Sequence, residues 1–448
     1  MCAKSLRRSP ITNAPGKSRC GLRSLKKPLR RKSSATSMTS VCKPERFKLR
    51  ETTRRKNMKE WTWGGFALTS LISSAAMGAG FQLYTEGSAE ALGQAGAISG
   101  RTNMTSQAWY NPSALGGAKR PALMIGSSFA SIHTDFKSDI SAAQNDTMSD
   151  EWRAIPHLYY VQPLSDRLTG TLSINAPYGL ITEWDDGWTG AAIATYSDLE
   201  AIYITPSVVW QVTEALAVSA GLNVVNAEAQ LEGTGRVVEG DDINYGGTFS
   251  AHLQPLDDWG LGLRYQSRVN LDITGSVDII GTGSFPASAE LTLPSSINVG
   301  LANTTFKGLS LGLDLVWTEW STYDVLDIEN PATTALTSQK DWEDVISVRL
   351  GAEYALGDDW KLRAGYIWDE SPIPDSTRAP EMPGTDRQMI TMGFGRQFRN
   401  TMTLDAAYSY LWSDKGDMGS NYTALDPTLA GTFETTTHLL AVSLGYTF

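Results

Sequence analysis

The sequence predicts an all-β protein: a 14-stranded antiparallel transmembrane β-barrel with an N-terminal hatch (plug) in its lumen. Three observations lead to this prediction. Apolar and polar side chains alternate over about ten residues at a time, long and short links alternate between these segments, and the chain ends on Phe448 after such a segment. Membrane strands need about 9–11 residues, whereas strands of soluble proteins usually have about 5–6, so the segments belong to the membrane class.

The first 57 residues differ in composition from the rest of the 448-residue chain. They hold 18 Lys and Arg against two acids, whereas the remainder holds 20 against 46, and all three Cys lie in them. We interpret residues 1–57 as a basic extension from a mis-called upstream start, with Met58 as the true start. A nucleic-acid-binding arm and an organelle transit peptide are the alternatives. The acidic remainder suggests no nucleic-acid partner.

Residues 58–78 have the pattern of a secretory signal peptide. A short charged start is followed by a mostly apolar stretch from Trp61 to Ile72, and small residues at Ala76 and Gly78 suit cleavage before Ala79. The apolar stretch is too short to span a bilayer as a helix, which takes about 20 residues. We therefore expect an exported chain that begins at Ala79.

Fourteen candidate strands follow residue 121. In one of them the even positions from Trp360 to Trp368 are apolar or aromatic, while four of the five odd positions are charged or Gly. An even number of strands suits a closed barrel whose chain begins and ends on the periplasmic side. The predicted strands are residues 122–131, 153–162, 168–176, 200–211, 215–229, 246–255, 259–274, 289–302, 309–320, 343–355, 360–369, 388–397, 401–412 and 436–448.

The links and the tryptophans are also typical of an outer-membrane barrel. Long polar links alternate with short ones, as extracellular loops alternate with periplasmic turns. The long links are residues 132–152, 179–199, 231–245, 275–288, 321–342, 370–387 and 413–435. Tryptophans at strand ends are expected to form the aromatic girdles at the headgroup level. They are Trp210, Trp259, Trp317, Trp320, Trp360, Trp368 and Trp412.

The last segment indicates the location. Its apolar face runs from Leu440 to Phe448, and Ala441 to Thr447 form the other face. A C-terminal aromatic after such alternation resembles the signal by which bacterial outer-membrane barrels are recognised for assembly, so Tyr446 and Phe448 are the predicted assembly signal. The resemblance implies the barrel assembly machinery as a partner, and a multi-pass barrel surrounded by outer-membrane lipid and lipopolysaccharide.

Residues 79–121 do not alternate, and we expect them to form a hatch inside a barrel of residues 122–448, with a periplasmic tail as the alternative. Several stretches resemble the FadL/TodX family of outer-membrane transporters for hydrophobic compounds. They are residues 79–97, Asn111-Pro112, residues 175–180, and an Asp-x-Ser-Pro-x-Pro motif followed by Asp-Arg. The residues of that family motif are Asp369, Ser371, Pro372, Pro374, Asp386 and Arg387.

The resemblance implies a mechanism. In the family, a substrate is captured at apolar extracellular loops, enters a lumen pocket and leaves sideways into the bilayer at an inward kink of the third strand. Asn175, Pro177 and Gly179 are the predicted lateral-gate kink, because Pro removes a ladder donor and Gly a side chain. A simple strand end is the alternative. A dry route suits such substrates, since each CH₂ returned to water costs about 0.8 kcal/mol.

The hatch motif of the family, Asn-Pro-Ala, matches Asn111, Pro112 and Ser113 here, with Ser in place of Ala. An ordinary turn is the alternative.

The resemblance implies that fatty-acid members pair the substrate carboxylate with basic lumen residues. Here Glu228 occupies the matching position, where an acid would repel a carboxylate, although Arg264, Arg349 and Arg363 could replace the basic residue.

We therefore expect outer-membrane transport of long-chain fatty acids or related lipophilic molecules. An uptake channel for aromatic or alkane hydrocarbons and a general diffusion porin are the alternatives. We expect no enzyme: a lipid hydrolase would need a nucleophile beside a His, and none of the four His lies in such a context. No Cys/His cluster suggests a metal site, and no cofactor is expected.

Overall fold

A computed structural model describes residues 80–331 and 336–448. The basic extension and the signal peptide predicted for residues 1–78 lie outside the described residues. Within the described part, no helix is long and apolar enough to cross a membrane.

The described chain forms one closed antiparallel barrel of 14 strands. Each strand pairs with its neighbours in the chain, and the last pairs with the first from Ala122↔Thr447 to Ser138↔Gly431. The strands are β1 Ala122–Ser138, β2 Arg153–Pro163, β3 Leu168–Glu183, β4 Tyr196–Gln211, β5 Leu216–Gly233, β6 Arg236–Leu256, β7 Trp259–Gln266 and Val269–Ile279, β8 Gly283–Leu293 and Ser296–Asn303, β9 Leu309–Thr318, β10 Val345–Leu356, β11 Trp360–Asp369, β12 Arg387–Phe398, β13 Met402–Ser413 and β14 Gly431–Thr447. The predicted fold class and strand number are confirmed.

The two faces of the wall follow from the period-two pattern. On β14, Leu440, Val442 and Leu444 are 45–47% exposed, whereas Ala441 and Ser443 between them are buried. The same alternation holds on the other strands, so an apolar band faces outward and mainly polar side chains face the lumen. This is the arrangement that a barrel in lipid requires.

Strands β5 to β8 extend further than predicted. Residues 231–245 and 275–288, which we expected to be loops, are the outer ends of two long hairpins with turns at 234–235 and 280–282. On these extensions the lumen face stays apolar, with Leu231, Val238 and Val277, while acids occupy the outer face. The loop prediction was wrong because we interpreted polar stretches as loops, although the polar side chains here lie on the outer face of strands.

The remaining elements are short. The α-helices are α1 Ala89–Leu92, α2 Gln107–Tyr110 and α3 Ser420–Thr423, and the 3₁₀ helices are Thr85–Gly87, Pro112–Leu115, Ala142–Gln144, Trp320–Thr322 and Pro427–Leu429. Short strands in the extracellular loops are Asp146–Thr147, Val325–Glu329, Leu336–Gln339 and Gly416–Asp417. Val325–Glu329 pairs with Leu336–Gln339, and Ile328 and Glu329 also pair with β8.

Residues 80–121 lie inside the barrel and pack against glycines of the wall. A Cβ on Gly262 would overlap the carbonyl oxygen of Ser99, and one on Gly312 would overlap that of Ala97. Wall glycines approached in this way by residues 93–100 are Gly260, Gly262, Gly300, Gly312, Gly351, Gly365 and Gly393. The hatch backbone therefore rests directly on the lumen face of β7 to β12.

We predict that Gly312→Ala destabilises the barrel by about 1–3 kcal/mol, the usual effect of overpacking. The measurement is the urea concentration at which the folded band is lost on an unheated gel. Gly247→Ala on β6 is the matched control, because its Cβ would meet no atom closer than 3.6 Å. Equal urea midpoints for Gly312→Ala and the unsubstituted protein would contradict the close packing.

Candidate functional site

Strand β3 carries a bulge at the predicted kink. Its pairing with β2 ends at His157↔Asn175, and its register with β4 shifts between Asn175 and Tyr178. Ala176 and Pro177 therefore have no partner on β4, and the strand then continues to Glu183 rather than ending in a loop. Before the shift the odd-numbered residues of β3 face the lumen, and after it the even-numbered residues do. The bulge therefore exchanges the two faces of the strand.

The part of β3 beyond the bulge is displaced toward the lumen. Ile181 lies on the face that would meet lipid in a regular wall, yet it is only 6% exposed. It belongs to the same buried cluster as Ile132 and Ile155, which face the lumen from β1 and β2. The β2–β3 pairing therefore stops after Asn175, and the rest of β3 lies on the lumen side of β2.

The first described residues of the hatch cover the edge of β3 that this displacement exposes. The Leu83 amide donates to the Pro177 carbonyl oxygen at 2.7 Å, and the Gly179 amide donates to the Phe81 carbonyl oxygen at 2.9 Å. Gln82 and Tyr178 form the antiparallel bridge between these two bonds. We call Phe81–Leu83 the arm; it replaces β2 as the partner of β3 at the bulge.

An aromatic cluster fills the lumen behind the arm. The Phe81 ring lies 4.6 Å from the Trp320 ring, and Trp342 lies 5.0 Å from Trp320 and 4.8 Å from Tyr323. Tyr178 contacts both Phe81 and Trp320 edge-on. The prediction of Trp320 as a girdle residue was wrong, because its side chain is fully buried in this cluster rather than exposed to lipid.

Packed apolar side chains connect the aromatic cluster to a small cavity above it, and we call this series of side chains the apolar path. The cavity has a volume of about 60 Å³ and lies under the loop strand Val325–Glu329, on the lumen side of the β5–β8 extensions. Leu231 and Val238 line its outer part, and Ile273 and Leu291 line its inner part. The same buried cluster contains Ile273, Leu291, Trp320 and Phe81, so apolar contact is continuous from the cavity to the arm.

The predicted hatch motif ties the hatch to β6. The Asn111 side-chain amide donates to the Ser99 carbonyl oxygen at 2.7 Å, and the Ser113 amide donates to the Ser250 hydroxyl at 3.0 Å. Pro112 begins a 3₁₀ helix. The Ser113 hydroxyl, present where the family has Ala, donates to the Asn111 side-chain oxygen. Of these three bonds, the one to Ser250 joins the hatch to the wall and the other two lie within the hatch. None of them involves the kink residues.

The predicted family motif organises the loop between β11 and β12. Buried Asp369 pairs with Arg387 at 2.6 Å and with Arg349 at 3.9 Å. The Ser371 amide donates to the Asp386 carboxylate at 2.8 Å. The Pro372 carbonyl oxygen accepts from the Glu343 amide, and the Pro374 carbonyl oxygen accepts from the Thr377 amide. The motif therefore fixes this loop to the outer end of the lumen.

Extracellular loops meet above the lumen. The Trp184 indole donates to the Pro380 carbonyl oxygen at 3.1 Å, and buried Lys340 pairs with Glu381 at 2.6 Å. Burial alone would lower the pKa of the Lys340 ammonium, but the adjacent Glu381 carboxylate outweighs burial and raises that pKa above its usual value. Lys340 therefore stays charged, and its ion pair holds two loops together.

The basic residues proposed as replacements all face the lumen, but their partners differ. Arg363 pairs with Glu353 and Asp405 at 2.8 and 2.6 Å. Arg264 donates to Gln266 at 2.6 Å and stacks on Trp109. Glu228 lies on the outer face of β5 and is exposed, opposite Glu200 and Asp241. The inference that Glu228 would repel a carboxylate in the lumen was therefore wrong.

Other candidate chemistry is sparse in residues 80–331 and 336–448. His157 contacts the Ser443 hydroxyl at 2.9 Å, but its other ring nitrogen has no hydrogen-bond partner there, so no carboxylate orients the ring as in a hydrolase triad. That part of the chain contains no group of three or more His, Cys, Asp or Glu placed to hold a metal ion.

The predicted assembly signal lies on the outer surface. Tyr446 and Phe448 are 43% and 56% exposed and their rings contact each other. Arg120 donates to the Phe448 and Thr447 carbonyl oxygens at 2.6 and 3.1 Å, where the hatch meets β1.

A closed 14-stranded barrel with an apolar outer band and a filled lumen defines a plugged outer-membrane β-barrel. The profile of one protein family, described as "Outer membrane protein transport protein (OMPP1/FadL/TodX)", matches residues 69–448. The chain belongs to this family, as the residues of the hatch and of the Asp369 motif predicted, and it is a multi-pass protein of the outer membrane.

Curated relatives and solved structures agree with this assignment. The long-chain fatty acid transport protein of Escherichia coli (strain K12) is 26% identical over 405 residues, which cover 76% of this chain and 90% of that protein. Outer membrane protein P1 of Haemophilus influenzae is 25% identical over 348 residues, or 66% and 75% of the two chains.

Two solved structures have the same fold. A Pseudomonas aeruginosa FadL homologue has a TM-score of 0.74 and 20% identity, covering 82% of this chain and 99% of that chain. The toluene transporter TodX of P. putida has a TM-score of 0.64 and 16% identity, covering 80% and 97%.

We predict that Asp369→Asn lowers the free energy of unfolding by about 3–5 kcal/mol, because it leaves buried Arg349 and partly buried Arg387 without the Asp369 carboxylate. Urea unfolding in lipid vesicles measures the change. Lys137→Gln is the control: it breaks an exposed ion pair with Glu434, and exposed pairs contribute only about 0–1 kcal/mol. Equal effects of the two substitutions would refute the structural role of Asp369.

Proposed function

We propose that this protein transports hydrophobic compounds, long-chain fatty acids or related lipophilic molecules, across the outer membrane and releases them sideways into the bilayer. The observation that carries the proposal is the interrupted β2–β3 pairing, closed by the arm rather than by a strand. The substrate is captured in the apolar cavity under Val325–Glu329, passes along the apolar path, and leaves beneath the arm.

The relatives support a hydrophobic substrate. One relative is named for long-chain fatty acids, and a protein of the same fold is named for toluene. The apolar path in this chain suits both, because it consists of aliphatic and aromatic side chains from Leu291 to Phe81. A molecule in this path keeps its carbon chain out of water, at a gain of about 0.8 kcal/mol for each CH₂.

The alternative of a straight passage to the periplasm is less well supported. Residues 93–100 rest on the lumen wall, and a cavity of about 740 Å³ with charged, polar and apolar lining lies on the periplasmic side of the hatch. Charged residues line that cavity, among them Asp166, Arg167 and Glu214. An apolar molecule would lose favourable contacts there, and a diffusion porin would need the lumen that the hatch fills.

The arm is the part of the hatch best suited to move. Two backbone hydrogen bonds join it to β3, and the Phe81 ring adds aromatic contacts. A hydrogen bond contributes about 0.5–1.5 kcal/mol net, so opening this edge is far cheaper than displacing the whole hatch. A substrate that takes the place of the Phe81 ring would replace its apolar contacts.

We further propose two surface partners. Tyr446 and Phe448 would be recognised by the barrel assembly machinery while the last strand is still unpaired. Lipopolysaccharide would contact the acidic outer face of the β4–β6 extensions through divalent cations that bridge its phosphates to Glu200, Glu228 and Asp241, which lie opposite one another.

A disulfide between Gln82→Cys and Tyr178→Cys is predicted to block uptake at least about tenfold. The two residues form a non-hydrogen-bonded antiparallel pair, whose Cα atoms are about 4.5 Å apart, which suits a disulfide. The measurement is uptake of labelled hexadecanoate by cells before and after oxidation, and uptake should return on reduction.

The two single-cysteine variants are the controls, since they carry the same side-chain losses without the bond, and residues 80–331 and 336–448 contain no Cys of their own. Undiminished uptake by the fully oxidised double variant would refute release beneath the arm. Parallel measurement with toluene and hexadecane distinguishes fatty acids from hydrocarbons, and ion conductance in a planar bilayer would favour the porin alternative.

A further inference from the structure

The outer surface of the wall carries a groove near its periplasmic end. The groove has a volume of about 540 Å³ and crosses strands β7 to β11. Gly312, Gly351 and Gly365 form its floor, and they are register partners on β9, β10 and β11. The hatch backbone lies against the lumen side of the same three glycines. The wall is therefore a single layer of backbone here, with the hatch on one side and the groove on the other.

The two sides of the groove differ in height. Leu313, Leu350 and Tyr366 form one side, and they pair with one another across the strands. Leu313 and Leu350 are exposed on the outer surface. Ala352 and Ala364 form the upper part of the other side, where their short side chains leave the space open. The result is an apolar channel between a high and a low row of side chains.

The groove runs obliquely from the periplasmic turns into the membrane. Trp259 is the first residue of β7, whereas Ala364 lies four residues after the start of β11. Four strand spacings of about 4.8 Å give the groove a length of about 19 Å. The usual strand tilt of about 35–45° then places its upper end about 11–13 Å deeper than its lower end. Half of a hydrocarbon core is about 15 Å thick, so the groove crosses most of the periplasmic leaflet. One row of register partners follows it: Trp259, Asn303, Leu311, Ala352 and Ala364.

Charged side chains of both signs lie at the lower end of the groove. Lys307, in the turn after β8, is exposed and forms no ion pair within residues 80–331 and 336–448. Asp257 and Asp258, in the preceding periplasmic turn, are also exposed. The Thr304 amide donates to the Asp258 carbonyl oxygen at 2.9 Å and so joins the two turns. A purely anionic group would meet two like charges here, whereas a group with one negative and one positive charge finds a partner for each.

We propose that the groove binds one phospholipid of the periplasmic leaflet, whose head group carries both a phosphate and a primary ammonium. One acyl chain lies between the two rows of side chains. Lys307 pairs with the phosphate, and Asp257 and Asp258 pair with the ammonium. This inference is independent of the proposed transport function, because the groove lies on the outer surface of β7 to β11 and away from the bulge of β3.

A bound acyl chain would also support the wall where it is thinnest. In lipid, close packing rather than exclusion of water holds apolar groups together. The chain would supply packing contacts to the outer side of the backbone that carries the hatch on its inner side. Loss of the lipid and loss of hatch packing therefore affect the same three glycines.

The test counts bound lipids by native mass spectrometry of the full-length protein in detergent. The probes are a phosphatidylethanolamine and a phosphatidylglycerol with the same acyl chains. We expect one ethanolamine lipid to bind at least about fivefold more tightly than the glycerol lipid. Ala364→Leu fills the open side of the groove and should weaken that binding at least about fivefold. Lys307→Gln should weaken it about two- to fivefold, the range of an exposed ion pair.

Ala406→Leu on β13 is the matched control. Ala406 lies on the outer face opposite exposed Phe394 and outside the groove, so its replacement should leave lipid binding unchanged. Ala352→Leu fills the same open side from β10. It keeps the test decisive if Ala364→Leu fails to fold, which the unheated gel shows.

Three results would overturn the proposal. Equal binding of the ethanolamine lipid by Ala364→Leu, Ala352→Leu and the unsubstituted protein would show that the lipid lies elsewhere. Equal or tighter binding of the glycerol lipid would overturn the head-group assignment. A dimer that is present in the unsubstituted protein and lost in Ala364→Leu would identify a second copy of the chain, rather than a lipid, as the occupant of the groove.

Discussion

A sheet in lipid cannot leave an edge unpaired, because no water is present to satisfy its amides and carbonyls. Most of this barrel meets the requirement by pairing each strand with its neighbours. At the bulge of β3 the neighbouring strand does not supply the pairing, because Pro177 has no N–H and β3 stops pairing with β2 after Asn175. The arm supplies the missing pairing from inside. In this place the arm, a short segment, takes the position of a strand. The position of the hatch depends on this pairing, and so do the aromatic cluster and the proposed exit.

The lumen separates its charges from its apolar path. Beside the hatch, Arg363 pairs with Glu353 and Asp405, and Arg101 and Lys361 also pair with Glu353. Asp369 pairs with Arg387 near the outer end. Such pairs tolerate burial because each charge has its partner. Arg264 is placed differently, on Trp109 and next to the aromatic side chains. Arg264 and Arg349 thus each stack on an aromatic ring of the hatch, Trp109 and Tyr84.

The sequence predicted the architecture well because strand alternation is a local property. Fourteen strands and the outward face of the segment ending in Phe448 followed from neighbouring residues, whereas two of the predicted long links proved to be strands. What failed were inferences about facing and partners. Glu228 lies outside the lumen and Trp320 inside it, since alternation shows that faces differ but not which one meets lipid. The bulge at Ala176 adds to this difficulty by reversing the faces within one strand.

The sequence predicted the site only at residues whose chemistry restricts the backbone or the partners around them. Pro177 and Gly179 could be expected at a break in pairing because their chemistry restricts them, whereas the pairing of Asp369 with Arg387 was not predicted. Other contacts join positions about a hundred or more residues apart in the chain. They include the pairing of the arm with β3 and the contacts of Trp109 with Tyr203 and Arg264. No local pattern records such contacts.

The contact between hatch and wall glycines also limits the order in which the molecule can be built. Carbonyl groups of residues 97–100 lie so close to Gly260, Gly262 and Gly312 that not even a methyl group fits between them. A finished cylinder would offer no clearance for threading that segment through. The N-terminal part must settle onto the growing wall while the seam between β1 and β14 is still open, and the barrel then closes around it.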